Sequence, residues 1–310
     1  MKPPFFTTLR QTGTLGLART ASAVITIFIR MLFKHLKHVP ESAVVVVNKS
    51  KMLLFPKRGG IHLELFLHGK REPMCTRYLV KSNILKKGDV ALDVGANIGY
   101  YVLIESKLIG EKGRVYAVEP VLGNFRLLVK NVKLNSLTNV STYQLAFGDY
   151  DGKNEIYISE HSNLCRMKTY SAKDIVGTQE VQMETIDTFL QDKEIPKLIR
   201  MDVEGYEYEI IKGMTQTLKK DVILLVELHP EYLCEKINEL FEILDRNCFR
   251  VRFAVFEDKV EENPILQSLI NEERGYKLPI SLSNVPIKEL QRIIANNPEY
   301  AFNVFFEKRI

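Results

Sequence analysis

A chain of 310 residues with 45% hydrophobic and 26% charged residues is long enough for one large α/β domain with additions, and its composition is that of an ordinary soluble globular protein with no low-complexity tract. The four cysteines (Cys75, Cys165, Cys234 and Cys248) form no CxxC pair and no Cys/His spacing suited to zinc, so they read as reduced thiols of a cytoplasmic protein. The formal net charge of +5 hides a split: residues 1–88 carry 16 Lys/Arg and 3 Asp/Glu, a balance of +13, and the remainder carries −8.

Residues 15–37, "LGLARTASAVITIFIRMLFKHLK", hold an uncharged run of ten residues between Arg19 and Arg30. That is short of the roughly 20 apolar residues a spanning helix needs. Arg30 and Lys34 follow the run with no small-x-small site after it, which also argues against a cleaved signal peptide. Wound as a helix, the segment gathers Arg19, Arg30, Lys34 and Lys37 on one face and Leu17, Ala21, Val24, Phe28 and Met31 on the other. Such a basic amphipathic helix, assigned here to residues 1–40, suits packing on the body, packing on a second subunit in a homo-oligomer, or peripheral contact with an anionic membrane.

Residues 41–88 read as a small β-rich addition, with strand-like runs at 43–47, 52–55 and 61–67 and a helix over 72–86. From 89 to 310 strands and helices alternate. The strands fall at 90–94, 114–118, 139–144, 197–201 and 222–228, and the helices at 98–109, 122–135, 204–219 and 231–246. This order predicts a Rossmann-like α/β domain with a mostly parallel sheet. Two further strand-like runs, 249–256 and 301–307, flank a loop-rich stretch and a helix near 287–295. Residues 145–196 are too many for a plain crossover and include strand-like runs at 155–159 and 180–184.

The stretch "ALDVGANIGYY" (91–101) closes a strand with Asp93 and turns through Gly95 and Gly99. A dinucleotide loop, G-x-G-x-x-G, would put glycines at Asn97 and Tyr100 instead. The spacing disfavours NAD and suits S-adenosylmethionine, with Asp93 as charge near its amino-acid end. Asn97 is the non-glycine residue best suited to a left-handed position in the turn. The next strand ends in Glu119, which can accept hydrogen bonds from both ribose hydroxyls, and the third ends near Asp149, which can reach the adenine amino group.

These stretches, together with "ETIDTFL" (184–190), "KLIRMDVEGYEYEIIKGM" (197–214) and "LLVELHP" (224–230), resemble the FkbM-type S-adenosylmethionine-dependent methyltransferases. The resemblance covers roughly residues 60–255 and departs at Arg200-Met201, where the family usually has Lys followed by Ile or Leu. It implies a seven-stranded class I methyltransferase sheet whose last strand is antiparallel, and O-methylation of a hydroxyl on a sugar, glycan, lipid-linked or polyketide-like metabolite.

Asp202 ends the fourth strand, Glu204 and Gly205 then open a helix, and the fifth strand ends with Glu227 and His229. An acceptor hydroxyl needs a base, and His229 or Asp202 is the candidate, with Glu204 beside them. The set Asp202, Glu204, Glu227 and His229 also permits a divalent metal, though no residue is assigned to one on sequence grounds. No N/D-P-P-Y/F sequence follows the fourth strand, and no recognisable RNA module or Trp is present, so nucleic acid is disfavoured as partner. An RNA methyltransferase using the basic N-terminus and a non-catalytic cofactor-binding scaffold are the alternatives.

Overall fold

The computed structural model describes residues 39–159, 167, 175–255, 281–298 and 300–309. The amphipathic helix expected over residues 15–37 lies outside the described residues.

The described chain begins with a hairpin of β1 (Ala43–Val47) and β2 (Ser50–Leu54). Its two turn residues, Asn48 and Lys49, have φ of 46° and 62°, the positive pair that a tight hairpin needs to match the twist of its strands. Two helices follow, α1 (Gly60–His68) and α2 (Pro73–Lys81). Helix α1 replaces the strand expected over 61–67. An apolar run this short fits either period, and the chain uses the helical one, burying Ile61 and Leu65 a turn apart between Gly59 and a left-handed Gly69.

The main domain alternates as expected: β3 (Val90–Val94), α3 (Tyr100–Ile109), β4 (Arg114–Val118), α4 (Leu122–Leu134) and β5 (Val140–Tyr143). After an insertion come β9 (Leu198–Met201), α6 (Glu207–Lys212), β10 (Ile223–Leu228), α7 (Pro230–Leu233), α8 (Lys236–Arg246), β11 (Phe249–Val255), β12 (Ser281–Val285), α9 (Ile287–Ala295) and β13 (Phe302–Lys308). The sheet order is β12-β11-β13-β10-β9-β3-β4-β5. Strands β5, β4, β3, β9 and β10 run parallel, and β13 inserts antiparallel between β10 and β11. This is the expected class I arrangement with one addition: β12, a mostly exposed "SLSNV", pairs antiparallel to β11 and makes an eighth strand at the edge. Strands β3 and β10 are buried at every residue, as parallel strands covered on both faces must be.

The insertion folds as a separate three-stranded sheet, β6 (Ala146–Phe147), β8 (Ile175–Glu184) and β7 (Gly152–Ser159), followed by α5 (Ile186–Phe189). The "ETIDTFL" motif is structural here. Thr185 caps α5 by accepting the Thr188 N–H at 3.0 Å, and the Asp187 carboxylate takes both the N–H and hydroxyl of Thr217 and the N–H of Gln216. Burial opposes ionisation of Asp187, but those hydrogen bonds win and hold its carboxyl below its usual value.

The addition at 41–88 shares a core with the main domain: Leu54, Leu65, Cys75 and Leu79 pack in one apolar cluster with Ala91, Leu103 and Val115. Two asparagines on or just after α4 extend the hairpin's hydrogen bonding. Asn135 accepts from the Lys51 N–H at 2.9 Å and donates to its carbonyl at 2.7 Å. Asn131, fully buried, accepts from the Leu53 N–H at 2.7 Å and donates to the Ile98 carbonyl at 2.8 Å. Hairpin, helix and the loop after β3 are thereby held in one frame.

Candidate active site

Five parallel strands point their carboxyl ends to one edge of the sheet, where ligands of open α/β folds bind. A cleft opens there. Its floor is the turn after β3, pinned because the N–H groups of Gly95 and Ala96 both donate to the Val118 carbonyl at 3.0 Å. A Cβ on Gly95 would stand 2.0 Å from the Asp202 carbonyl oxygen, so only glycine lets the β3 and β9 ends approach this closely. Asn97 has φ 49°, the left-handed conformation expected of it. Gly99 acts differently, starting α3 at φ 94° and leaving, by its missing Cβ, the room that Leu128 fills.

Glu119 lies in the cleft wall, only 4% exposed, accepting the Asn97 N–H at 2.8 Å and the Val121 N–H at 2.9 Å. Burial pushes its carboxyl up to about 7, against the pull of those N–H donors. Apolar walls from Val121, Leu145, Phe147 and Met167 continue from it, with Asn124 between.

Two expected contacts take other roles. Asp149 is not among the residues that line the cleft. Its carboxylate pairs with Lys212 on α6 at 2.8 Å, because Gly213 brings that helix end against Gly148 and Asp149. Asp93 is fully buried beneath the cleft and pairs with Arg200 at 3.0 Å. Arg200 in turn holds Asp202 at 2.9 Å, stacks over the Tyr101 ring at 4.0 Å, and is the group that faces the cleft.

Arg71, from the addition, also lines the cleft, held by Glu72 at 2.6 Å and Glu64 at 3.0 Å. No motif in the sequence marks it. The Tyr100 hydroxyl donates to its carbonyl at 2.8 Å, which ties the addition to the start of α3.

Beyond Arg200 the cleft ends in acid. Asp202 and Glu204 line it, with Glu227, His229 and Glu207 behind. Glu204 and Gly205 do not open a helix as expected: both are left-handed, at φ 54° and 97°, and α6 starts only at Glu207. The turn requires its glycine, because a Cβ on Gly205 would strike Tyr232 at 2.6 Å. It presents Glu204 to the cleft and to His229, whose Nε2 lies 3.6 Å from Glu204 and 3.8 Å from Glu227, while Nδ1 lies 3.5 Å from Glu207.

Burial works against the His229 imidazolium, yet Glu204, Glu207 and Glu227 together hold its pKa well above 6.5. Those carboxylates favour the imidazolium and so disfavour His229 as the group that accepts a further proton. For Asp202, burial is outweighed by Arg200, Arg71 and His229, and the carboxyl stays below its usual value. Burial pushes Glu204 up to about 7, with His229 opposing.

A parallel sheet with β13 inserted antiparallel, a glycine turn after β3 and an acid closing β4 define the class I methyltransferase fold. The sequence model of the "Methyltransferase FkbM domain" matches residues 93–251, half of the chain, and the protein belongs to that family of methyltransferases. Among curated proteins it is 30% identical over 146 residues to the hexuronic acid methyltransferase AglP of Haloferax volcanii, covering 46% of this chain and 57% of that protein. The chain thus spans little more than half the length of this relative. Among solved structures, a SAM-dependent O-methyltransferase from Thermotoga maritima is 12% identical with a TM-score of 0.42, over 90% of this chain and 82% of that one. P. horikoshii TYW2 in complex with MeSAdo is 14% identical with a TM-score of 0.45, over 87% and 72%. Both likenesses are too distant for function to carry over.

The cofactor of this class is S-adenosylmethionine, and the cleft fits it. Gly95 and Ala96 line the cleft with the turn after β3, Glu119 would offer its carboxylate to a ribose diol, and the apolar walls suit an adenine. Arg71, Arg200 and Asp202 supply both signs of charge for an amino-acid tail. Among the described residues, no helix is long and apolar enough to cross a membrane.

Proposed function

We propose that the protein is an S-adenosylmethionine-dependent O-methyltransferase whose acceptor is a sugar hydroxyl, on a glycan or a smaller saccharide. The observation that carries this is the polarity of one cleft: a buried ribose-type acid, Glu119, at one end and the Asp202–Glu204 acids at the other. The likeness to a hexuronic acid methyltransferase supports the sugar.

When bound, S-adenosylmethionine supplies an activated methyl group, whose carbon–sulfur bond breaks with its electron pair leaving on sulfur as the acceptor oxygen bonds to carbon. The chain has to hold that oxygen in line and take its proton. Of the acids at this end, Asp202 is occupied by Arg200, and Glu227 and His229 stand behind it. Glu204 is left as the group that lines the cleft and can receive the proton, with His229 Nε2 3.6 Å from its carboxylate.

Isothermal titration with S-adenosylmethionine and its demethylated product, followed by labelled-methyl transfer into fractionated saccharides, lipids, RNA and small molecules, tests both halves. Binding with label in the saccharide fraction is expected. No binding of either compound sinks the cofactor assignment, and label confined to RNA or lipid sinks the acceptor.

A further inference from the structure

We propose that Asp202, Glu227 and His229 bind one divalent cation of the Mn²⁺ or Mg²⁺ type, which in turn holds the acceptor oxygen at the acidic end of the cleft. The inference rests on the methyltransferase reading and adds a metal to it.

The sheet itself assembles the ligands. Strands β9 and β10 are parallel neighbours with Met201 beside Val226. The next residues on each, Asp202 and Glu227, therefore emerge side by side, and His229 lies two residues further along the extended chain, in step with Glu227. One ligand atom from each of the three lies within 4.8 Å of the others. Arg200 occupies Oδ2 of Asp202 and leaves the second oxygen for a ligand.

A second observation points to a ligand. Glu227 is only 8% exposed, yet no N–H or hydroxyl donates to its Oε2, and its carboxyl faces the carboxyl of Asp202. A buried carboxylate oxygen without a donor is costly, and a bound cation would supply what no side chain does. The imidazole is already aimed: Nδ1 faces Glu207, whose other contact is the Gly205 N–H, and Tyr232 stacks on the ring, so Nε2 is the ligand atom. Metal-bound histidines commonly have their second nitrogen oriented by a carboxylate in this way.

The donor set narrows the ion. Two carboxylates and one imidazole, with no cysteine, do not make a closed structural zinc site, and they leave half of an octahedron open. Those positions suit water and neighbouring oxygens of a saccharide. A hydroxyl bound there would lose its proton more readily, and the proton would pass to Glu204. The ion and a proton compete for the same imidazole nitrogen, so binding is best read above neutral pH.

The test uses the full-length protein, stripped with EDTA and titrated with Mn²⁺ at pH 8, with free Mn²⁺ followed by electron paramagnetic resonance. One Mn²⁺ per chain is expected, competed by excess Mg²⁺. Binding should weaken about tenfold or more in Glu227→Gln and in His229→Gln. Glu227 does not line the cofactor cleft, so Glu227→Gln should still bind S-adenosylhomocysteine, which also shows that it folds. Should that variant fail to fold, His229→Gln must show the loss alone. No stoichiometric Mn²⁺, or undiminished Mn²⁺ in the variants that bind S-adenosylhomocysteine, overturns the cation site. Wild-type protein that binds no S-adenosylhomocysteine overturns the methyltransferase reading instead, whatever Mn²⁺ does.

Discussion

The guanidinium of Arg200 reaches from β9 to the carboxylate of Asp93 on β3, 3.0 Å away, with side chains 5% and 0% exposed. Beside them Glu105 is wholly buried, neither carboxyl oxygen has a hydrogen-bond partner, and burial together with Asp93 pushes its pKa well up. Arg200 is therefore the charge that makes this part of the core tolerable. Arg200→Met would leave Asp93 buried and unpaired, at a cost of about 3–5 kcal/mol. Arg200→Lys should fall between, keeping the charge but losing the planar fork that holds Asp93 and Asp202 together. Urea unfolding reads both; a midpoint for Arg200→Met equal to wild type would remove the role.

Gly95 and Gly123 give opposite outcomes for the same change. At Gly95, with φ 77° and a carbonyl oxygen 2.0 Å from the added Cβ, Gly95→Ala must displace the turn from Asp202. A loss of about 2–5 kcal/mol is expected from strain and overlap, with cofactor binding lost as well. Gly123 sits in α4 with nothing within 4 Å of the added Cβ, and Gly123→Ala should stabilise by about 0.5–1 kcal/mol. Thermal melts with and without S-adenosylhomocysteine compare them directly.

Most of the sheet was legible in the sequence because buried parallel strands and amphipathic helices differ in period. The helix α8, with Ile237, Leu240, Phe241 and Leu244 on one side, could hardly read otherwise. Strand β12 was not legible, since an exposed edge strand carries no apolar pattern. Within the site, positions fixed by backbone geometry were readable: Asn97 needs a left-handed turn, and Glu119 closes a strand. Side-chain partnerships were not. Whether Asp93 faces the cleft or Arg200, and whether Asp149 faces the cleft or Lys212, depends on residues more than 60 positions away. Arg71 enters from outside the motif-bearing domain, and only the tertiary packing of α1 and α2 brings it in.

Glu119 is expected to make cofactor binding pH-dependent. Its carboxyl is raised from 4.5 to about 7 in the folded protein, so the native state holds this proton more tightly than the unfolded chain. Stability from this group is fully present below pH 4.5 and is lost as pH rises through 7, on the order of 3 kcal/mol in total. Cofactor affinity runs the other way, because an ionised Glu119 accepts from a ribose diol better than a protonated one. S-adenosylhomocysteine binding should tighten between pH 6 and 8 and level off above. Glu119→Gln should bind more weakly and lose that dependence. Titration calorimetry across the range checks it, and an unchanged slope in Glu119→Gln would place the titrating group elsewhere.

A substitution at Glu204 is expected to separate proton removal from binding. It stands on a left-handed turn at φ 54°, a conformation that costs a non-glycine residue of order 1 kcal/mol or more and persists here because Gly205 and Tyr232 fix the turn. Its neighbours Asp202 and His229 are already engaged, by Arg200 on one side and by Glu207 on the other. Glu204→Gln keeps the shape and removes the proton acceptor. It should lower kcat about 10²–10⁴-fold while leaving S-adenosylhomocysteine affinity and the KM for the cofactor within a few-fold. His229→Gln, by contrast, should raise the KM for the acceptor along with any loss in kcat, since it disturbs the cluster that positions the substrate rather than the group that takes its proton. Normal turnover in Glu204→Gln, with kcat collapsing only in His229→Gln, would return the base to the histidine and require it to shed its proton despite three surrounding carboxylates.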